Sequence, residues 1–197
     1  MAYPAGSGHK TVEDLFAIPE EERRRVELIE GVLEERSAPT GEHGGAQAKL
    51  AAFVGPFHRR PGGARPGGWW FVTEVEVYLD PKNTFRPDVT GWRRERCPER
   101  PRGTPVRQRP DWICEILSTN RSRDTVKKLR VYQRHHVDHY WIVDPEAETL
   151  TVYRWGDAGY VTALVADRHE LVHAEPFDAI PLRVGVLFGD DDEDAEP

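Results

Sequence analysis

The chain is poor in cysteine and has no long apolar stretch. Its two cysteines, Cys97 and Cys114, cannot build a disulfide framework and lack the paired spacing of a zinc site. Both are expected to be reduced thiols, with Cys114 packed in the core. No run approaches the roughly 18 apolar residues that a membrane helix needs, and the opening MAYPAGSGHK lacks the apolar stretch of a secretory signal. A cytoplasmic protein with no membrane partner is the expectation. There is no internal repeat, and no Gly-x-Ser-x-Gly elbow surrounds Ser118, which speaks against a serine hydrolase.

What is present suits a folded chain. Hydrophobic residues make up 38% and charged ones 31% of 197 positions, enough for one core. We expect a flexible N-terminus over 1–10, one domain over 11–188 and a disordered acidic tail over 189–197. The net charge is −7, but six acids lie in the last eight residues, and without them the chain carries −1. Positive charge is then concentrated in two segments. Residues 93–109 hold seven arginines, and residues 119–136 hold six lysines or arginines against Asp124 alone. Such clustering suits a polyanion, because basic groups gain affinity by releasing counterions from phosphates. A solvated arginine-rich loop is the plainer alternative.

Patterning predicts a mixed α/β chain. A short helix starts at Thr11 and stops at Pro19. RVELIEGVLEERSA alternates on both sides of Gly31 and reads as a hairpin. A helix is expected from Ala46 to His58, ahead of the breakers PGGARPGG. Four segments rich in β-branched and aromatic residues, WWFVTEVEVYLD, FRPDVTGW, RPDWICEILS and DHYWIVD, read as strands. The last two are joined by a helical stretch long enough for a crossover, which implies a parallel pair. ETLTVYRW, GYVTALVAD and HELVHA read as further antiparallel strands.

One residue stands out against this pattern. Alternation puts Trp112, Cys114 and Ile116 on one face of their strand and Ile113, Glu115 and Leu117 on the other. Glu115 therefore points among apolar neighbours, where an unpaired carboxylate costs several kcal/mol unless it is neutralised, paired or bound to a cation. Asp88, after Pro87, is a second candidate acid. Two carboxylates on adjacent strands can hold Mg²⁺ or Mn²⁺. A nearby lysine, Lys127 or Lys128, can orient or deprotonate water or stabilise charge on a phosphate. The plainer readings are a turn residue for Asp88 and a buried ion pair for Glu115. His135, His136 and His139 invite a zinc reading, but they lie where a helix should end and no cysteine is near. Asp111, in a second RPD, reads as a strand-start residue.

RPDV, RPDWICEILS and RDTVKKLRVYQRHHVDHYWIVDPEAETLTVY, with VELIEGVLEERSAPTGEHG upstream, resemble the Uma-type restriction endonuclease family, a branch of the PD-(D/E)xK nuclease superfamily. The resemblance spans roughly residues 11–188. It implies a restriction-endonuclease-like fold, a mixed central β-sheet flanked by helices with additional antiparallel strands. It also implies catalytic acids on neighbouring strands, here Asp88 and Glu115, as metal ligands. The superfamily's usual lysine position holds Leu117. Members of this family resemble one another instead in a helix pattern that Asp124, Lys128 and Tyr132 fit, and residues four apart share a helix face. Lys128 is therefore the expected catalytic lysine, with Lys127 second. Glu27 in VELIEG and His43 in GEHG match recurrent family positions and are accessory candidates. Arg121, Arg123 and Lys127 are candidate nucleic-acid contacts. The expectation is a Mg²⁺- or Mn²⁺-dependent DNA endonuclease, paired as a homodimer where both strands are cut. The alternatives are a nucleic-acid-binding protein of the same fold without cleavage and a protein-interaction module.

Overall fold

Two consecutive residues with left-handed backbone, Glu30 (φ 51°) and Gly31 (φ 78°), turn the chain between β1 (Val26–Ile29) and β2 (Val32–Glu35). Positive φ at both central positions is the geometry that matches the twist of a two-residue hairpin, so the hairpin expected around Gly31 is present. The computed structural model describes residues 9–62 and 66–191. Most of the N-terminus expected to be flexible (1–8) and of the acidic tail (192–197) lies outside these residues. At the described ends, Lys10 N–H donates to Gly31 O (2.8 Å) and Asp190 pairs with Arg168.

The chain forms a mixed α/β structure around a six-stranded mixed sheet of order β10-β9-β8-β7-β6-β3. Its strands are β3 (Trp69–Thr73), β6 (Val89–Arg93), β7 (Trp112–Ile116), β8 (His139–Asp144), β9 (Thr149–Gly156) and β10 (Gly159–Asp167). Only β7 and β8 run parallel, with Glu115 opposite Ile142 in their register. This is the crossover pair expected from the helical segment between them. A four-stranded antiparallel sheet, β2-β1-β5-β4, carries the hairpin together with β4 (Val77–Asp80) and β5 (Asn83–Phe85). A small pair, β11 (Leu171–Val172) with β12 (Leu182–Arg183), stands apart.

Three expectations about elements are corrected. WWFVTEVEVYLD and FRPDVTGW are not single strands. The first breaks at Glu74, whose φ of 55° turns β3 away from β4, and the second breaks at Arg86–Asp88. Glu74 N–H donates to Pro87 O (3.2 Å) and Arg86 donates to Glu74 O (2.7 Å), so the two breaks hold each other. HELVHA contributes only two residues of strand, outside the central sheet. The helix expected from Ala46 starts earlier. Preceded by α1 (Val12–Phe16) and α2 (Glu20–Arg23), α3 runs Gly41–Val54, capped by Thr40, whose hydroxyl accepts from His43 N–H (3.3 Å). The glycines of its first turns conceal a helix that the cap enforces.

The alternation of β7 sorts its side chains as expected. Trp112, Cys114 and Ile116 join the main core with Leu50 of α3, Trp141 and Phe177. Ile113 and Leu117 join a second cluster with Tyr132 and Tyr140, beneath the crossover helix. Gly91 lets β3 and β7 close over this sheet, since a Cβ there would meet Phe71 at 2.9 Å and Trp112 at 3.2 Å. Trp112 is fully buried and Phe71 packs against the same core, so the neighbours yield only at a cost. Gly91→Ala is therefore expected to cost about 1–3 kcal/mol, read as a lower urea midpoint with an unchanged slope.

Candidate active site

Strand pairing brings the two expected acids together. Val89 lies opposite Cys114 in the antiparallel β6–β7 ladder, which sets Asp88, just before β6, beside Glu115. Asp88 Oδ2 accepts the Ile116 N–H (2.7 Å), so the carboxylate itself completes the hydrogen bonding at the end of β7. Asp88, Glu115 and Lys128 are 3%, 2% and 3% exposed, and all three line one cleft of about 340 Å³.

The lysine comes from a wide π-type turn, Arg123–Lys128, that leads into α4 (Leu129–Arg134). Lys128 Nζ lies 3.0 Å from Glu115 Oε1, 3.0 Å from Glu27 Oε2 and 3.2 Å from Asp124 Oδ1. The Tyr132 hydroxyl donates to Glu115 Oε1 at 2.6 Å. Asp124, Lys128 and Tyr132 thus meet on one face, as the helix pattern implied. Lys127 is elsewhere, 2.5 Å from Glu34. Glu27 reaches the cleft from β1 and accepts the Arg86 N–H (2.8 Å), and His43, from the first turn of α3, lies 3.2 Å from Asp88 Oδ2.

Arg36 is the cleft residue that the sequence did not signal. It lies 2.8 Å from Glu74, 3.6 Å from Asp88 and 3.9 Å from Glu27. It follows the hairpin in a segment whose pattern carries no cue to its direction. Gln47 also escaped notice. Its amide donates to Asp88 O (2.9 Å) and to Glu74 Oε1 (3.4 Å).

Other candidates have different partners. Arg121 pairs with Asp144 and Glu146, and Arg123, buried, pairs with Glu34. Together with Lys127 these expected nucleic-acid contacts are turned to the chain's own carboxylates, because the acidic hairpin packs beside the helix. His135 lies 2.7 Å from Asp80, His136 stacks on Trp155, and His139 faces Glu175 at 3.5 Å, so the three histidines share no site. Asp111 is buried beside Arg96 and accepts the Arg93 N–H.

The electrostatics are those of crowded carboxylates. Burial pushes Glu115 well above the usual carboxylate range; Lys128 opposes this, while Asp124, Asp88 and Glu27 reinforce it. Burial likewise raises Asp124. For Glu27, burial acts upward but Lys128 and Arg36 outweigh it and hold the group low. Asp88 is also held low, because its hydrogen bonds from His43 and Ile116 overcome burial. For Lys128, burial alone would favour the neutral amine, yet Glu115, Glu27 and Asp124 raise it above the usual lysine range. The ammonium stays charged.

Among the described residues no group of three or more His, Cys, Asp or Glu side chains is arranged to hold a metal ion. The donor set nonetheless fits one. The five acids that line the cleft, Glu27, Glu74, Asp88, Glu115 and Asp124, outnumber Arg36, Arg123 and Lys128, and buried Glu27 Oε2 accepts no hydrogen bond of good geometry. Mg²⁺ commonly takes one or two carboxylates and completes its shell with water and phosphate.

The mixed central sheet, with paired acids at the ends of adjacent strands, belongs to the restriction-endonuclease-like class of α/β folds. Within that class the chain belongs to the Uma2 family, described as "Putative restriction endonuclease", whose sequence model matches residues 12–184. A solved structure of similar fold, titled as a putative nuclease belonging to DUF820 from Anabaena variabilis, is 24% identical with a TM-score of 0.71. The alignment covers 90% of this chain and 97% of that one. No curated protein matches the chain.

Removing the shared cation tests the geometry directly. Lys128→Met leaves buried carboxylates uncompensated and is expected to cost about 3–5 kcal/mol of stability at neutral pH. Adding Glu115→Gln should recover part of that loss, measured by urea unfolding of the single and double variants.

Proposed function

We propose that the chain is a Mg²⁺- or Mn²⁺-dependent DNA endonuclease of the PD-(D/E)xK kind, acting through Asp88, Glu115 and Lys128. The observation that carries this reading is the meeting of these three buried groups, from β6, β7 and the crossover helix, in one open cleft. Asp88 and Glu115 would hold the ion, with Glu27 as an accessory acid. When bound, the ion supplies an activated water and Lewis-acid stabilisation of the phosphate.

The protein's own groups divide the remaining work. Lys128, kept protonated by its carboxylates, is suited to stabilise negative charge on a phosphate oxygen rather than to act as a base. His43 is held toward its protonated form: burial works against this, but the Asp88 hydrogen bond prevails, making the ring a donor at the cleft wall. Tyr132 fixes Glu115 Oε1 and so the direction of its second oxygen. Cutting both strands of a duplex would need two such clefts, and hence a pair of copies.

The same geometry favours one second reading, a nucleic-acid-binding protein without cleavage. Lys128 is already shared by three carboxylates, as in a purely structural ion cluster.

Incubation with supercoiled plasmid separates the two. Wild type should nick or linearise it with Mg²⁺ or Mn²⁺ and not with EDTA. Asp88→Asn, which keeps an acceptor for the Ile116 N–H, should cut about 10²–10³-fold more slowly and lose Mn²⁺ binding in calorimetry. A wild-type protein inert with every metal tried, or an Asp88→Asn variant as active as wild type, would overturn the endonuclease.

A further inference from the structure

A second cleft, of about 540 Å³, adjoins the first. The two share no lining residue, but at three places along the chain their linings are neighbours in sequence. Ala51 of the second lies one helical turn from Gln47 of the first, Thr73 and Val75 flank Glu74, and Val89 follows Asp88. Gln47, one turn from Ala51, lines the first cleft, and its amide is bonded to Asp88 O and Glu74.

The chemistry of the second cleft differs from that of the first. Its lining is largely apolar, with Phe71, Val72, Val75 and Val89 among its residues, and it also contains His58 and Arg100. The His58 Nδ1 accepts the Phe71 N–H at 3.1 Å, so the neutral ring carries its proton on Nε2 and keeps one donor. Burial first, then the charges of Arg94 and Arg100, hold this imidazole below its usual range. Arg94 lies 3.5 Å over the Trp70 ring and donates to Trp69 O (2.9 Å), with Arg60 near enough to repel it. Arg60, Arg94 and Arg100 pair with no carboxylate among the described residues. In the crossover segment Arg121, Arg123, Lys127 and Arg134 are paired, and exposed Arg130 is the exception among the described residues.

An apolar slot edged by unpaired arginines and one imidazole donor fits a flat ring with polar edges that arrives attached to a phosphate. A base within a duplex cannot enter such a slot without leaving its stack, whereas an unpaired base can. We propose that this cleft receives an unpaired base of the DNA strand beside the scissile phosphate, while Arg60, Arg94 and Arg100 carry that strand's backbone. This rests on the nuclease reading above and narrows its substrate to DNA with a single-stranded segment next to the cut.

Binding in EDTA tests the inference separately from cleavage. Fluorescence anisotropy at low salt should show a labelled single-stranded oligonucleotide bound about tenfold more tightly than its blunt duplex. Arg94→Ala with Arg100→Ala should weaken both and flatten the salt dependence by about 0.7 for each lost single-strand phosphate contact. Ala51→Phe, which fills the cleft away from the arginines, should abolish the single-strand preference and leave the salt slope unchanged. Thermal melting monitored by circular dichroism identifies any variant that does not fold. A second readout, a 2-aminopurine in the oligonucleotide, should change its fluorescence with wild type and not with Ala51→Phe. Equal affinity for duplex and single strand, an unaltered preference in folded Ala51→Phe, or stronger binding of an acidic peptide than of the oligonucleotide would each overturn the proposal. Loss of cleavage in wild type with the binding preference intact would instead sink the nuclease reading alone.

Discussion

The whole site depends on one ammonium group. Lys128 is buried, and its charge is tolerable only because Glu27, Glu115 and Asp124 surround it from β1, β7 and its own helix. The ammonium in turn favours the charged form of each carboxylate, helped at Glu27 by Arg36. The four-stranded sheet, the central sheet and the crossover helix are thereby tied at one point by charge as well as by apolar packing. That tie brings an acid of the hairpin into contact with an acid of the central sheet.

The cluster also explains why the two basic segments end with different fates. The crossover helix packs beside the acidic hairpin, so most of its cations are paired within the chain: Arg123 and Lys127 with Glu34, and Arg134 with Glu30, while Arg130 is exposed. In the segment after β6, Arg96 and Arg109 pair with Asp111 and Asp138, whereas Arg94, over Trp70, and Arg100, at the apolar cleft, pair with no carboxylate among the described residues. Sequence density of positive charge was equal evidence for both. Packing distinguishes them.

How much was legible beforehand varied with the physics behind each feature. Glu115 could be read because strand alternation is strict and a carboxylate among Ile113 and Leu117 breaks it. That Lys128 rather than Lys127 meets Glu115 could be read because helix faces repeat, and the parallel β7–β8 pair because its connection is long. Asp88 was weak on local grounds and gained weight from its joint appearance with Glu115 and Lys128 and from the resemblance. The early start of α3 was hidden by Gly41, Gly44 and Gly45, whose low helix propensity the Thr40 cap overrides. The break at Glu74 could not be seen, since a non-glycine residue with positive φ has no compositional mark. Arg36 and Gln47 were missed because neither interrupts a pattern; only tertiary placement turns them toward the acids.

The bond from the Ile116 amide to Asp88 has a consequence for how this site can vary. A strand end normally owes its hydrogen bond to the neighbouring backbone, so side chains there are free to change. Here the backbone's debt is settled by a side-chain oxygen that also faces the cleft. Position 88 therefore answers at once to the ladder and, on the proposed function, to the chemistry. An asparagine can satisfy the first, while only an acid satisfies both. A descendant of this chain that abandoned the chemistry could still retain a polar acceptor there, so polarity at this position alone is no sign of a working site.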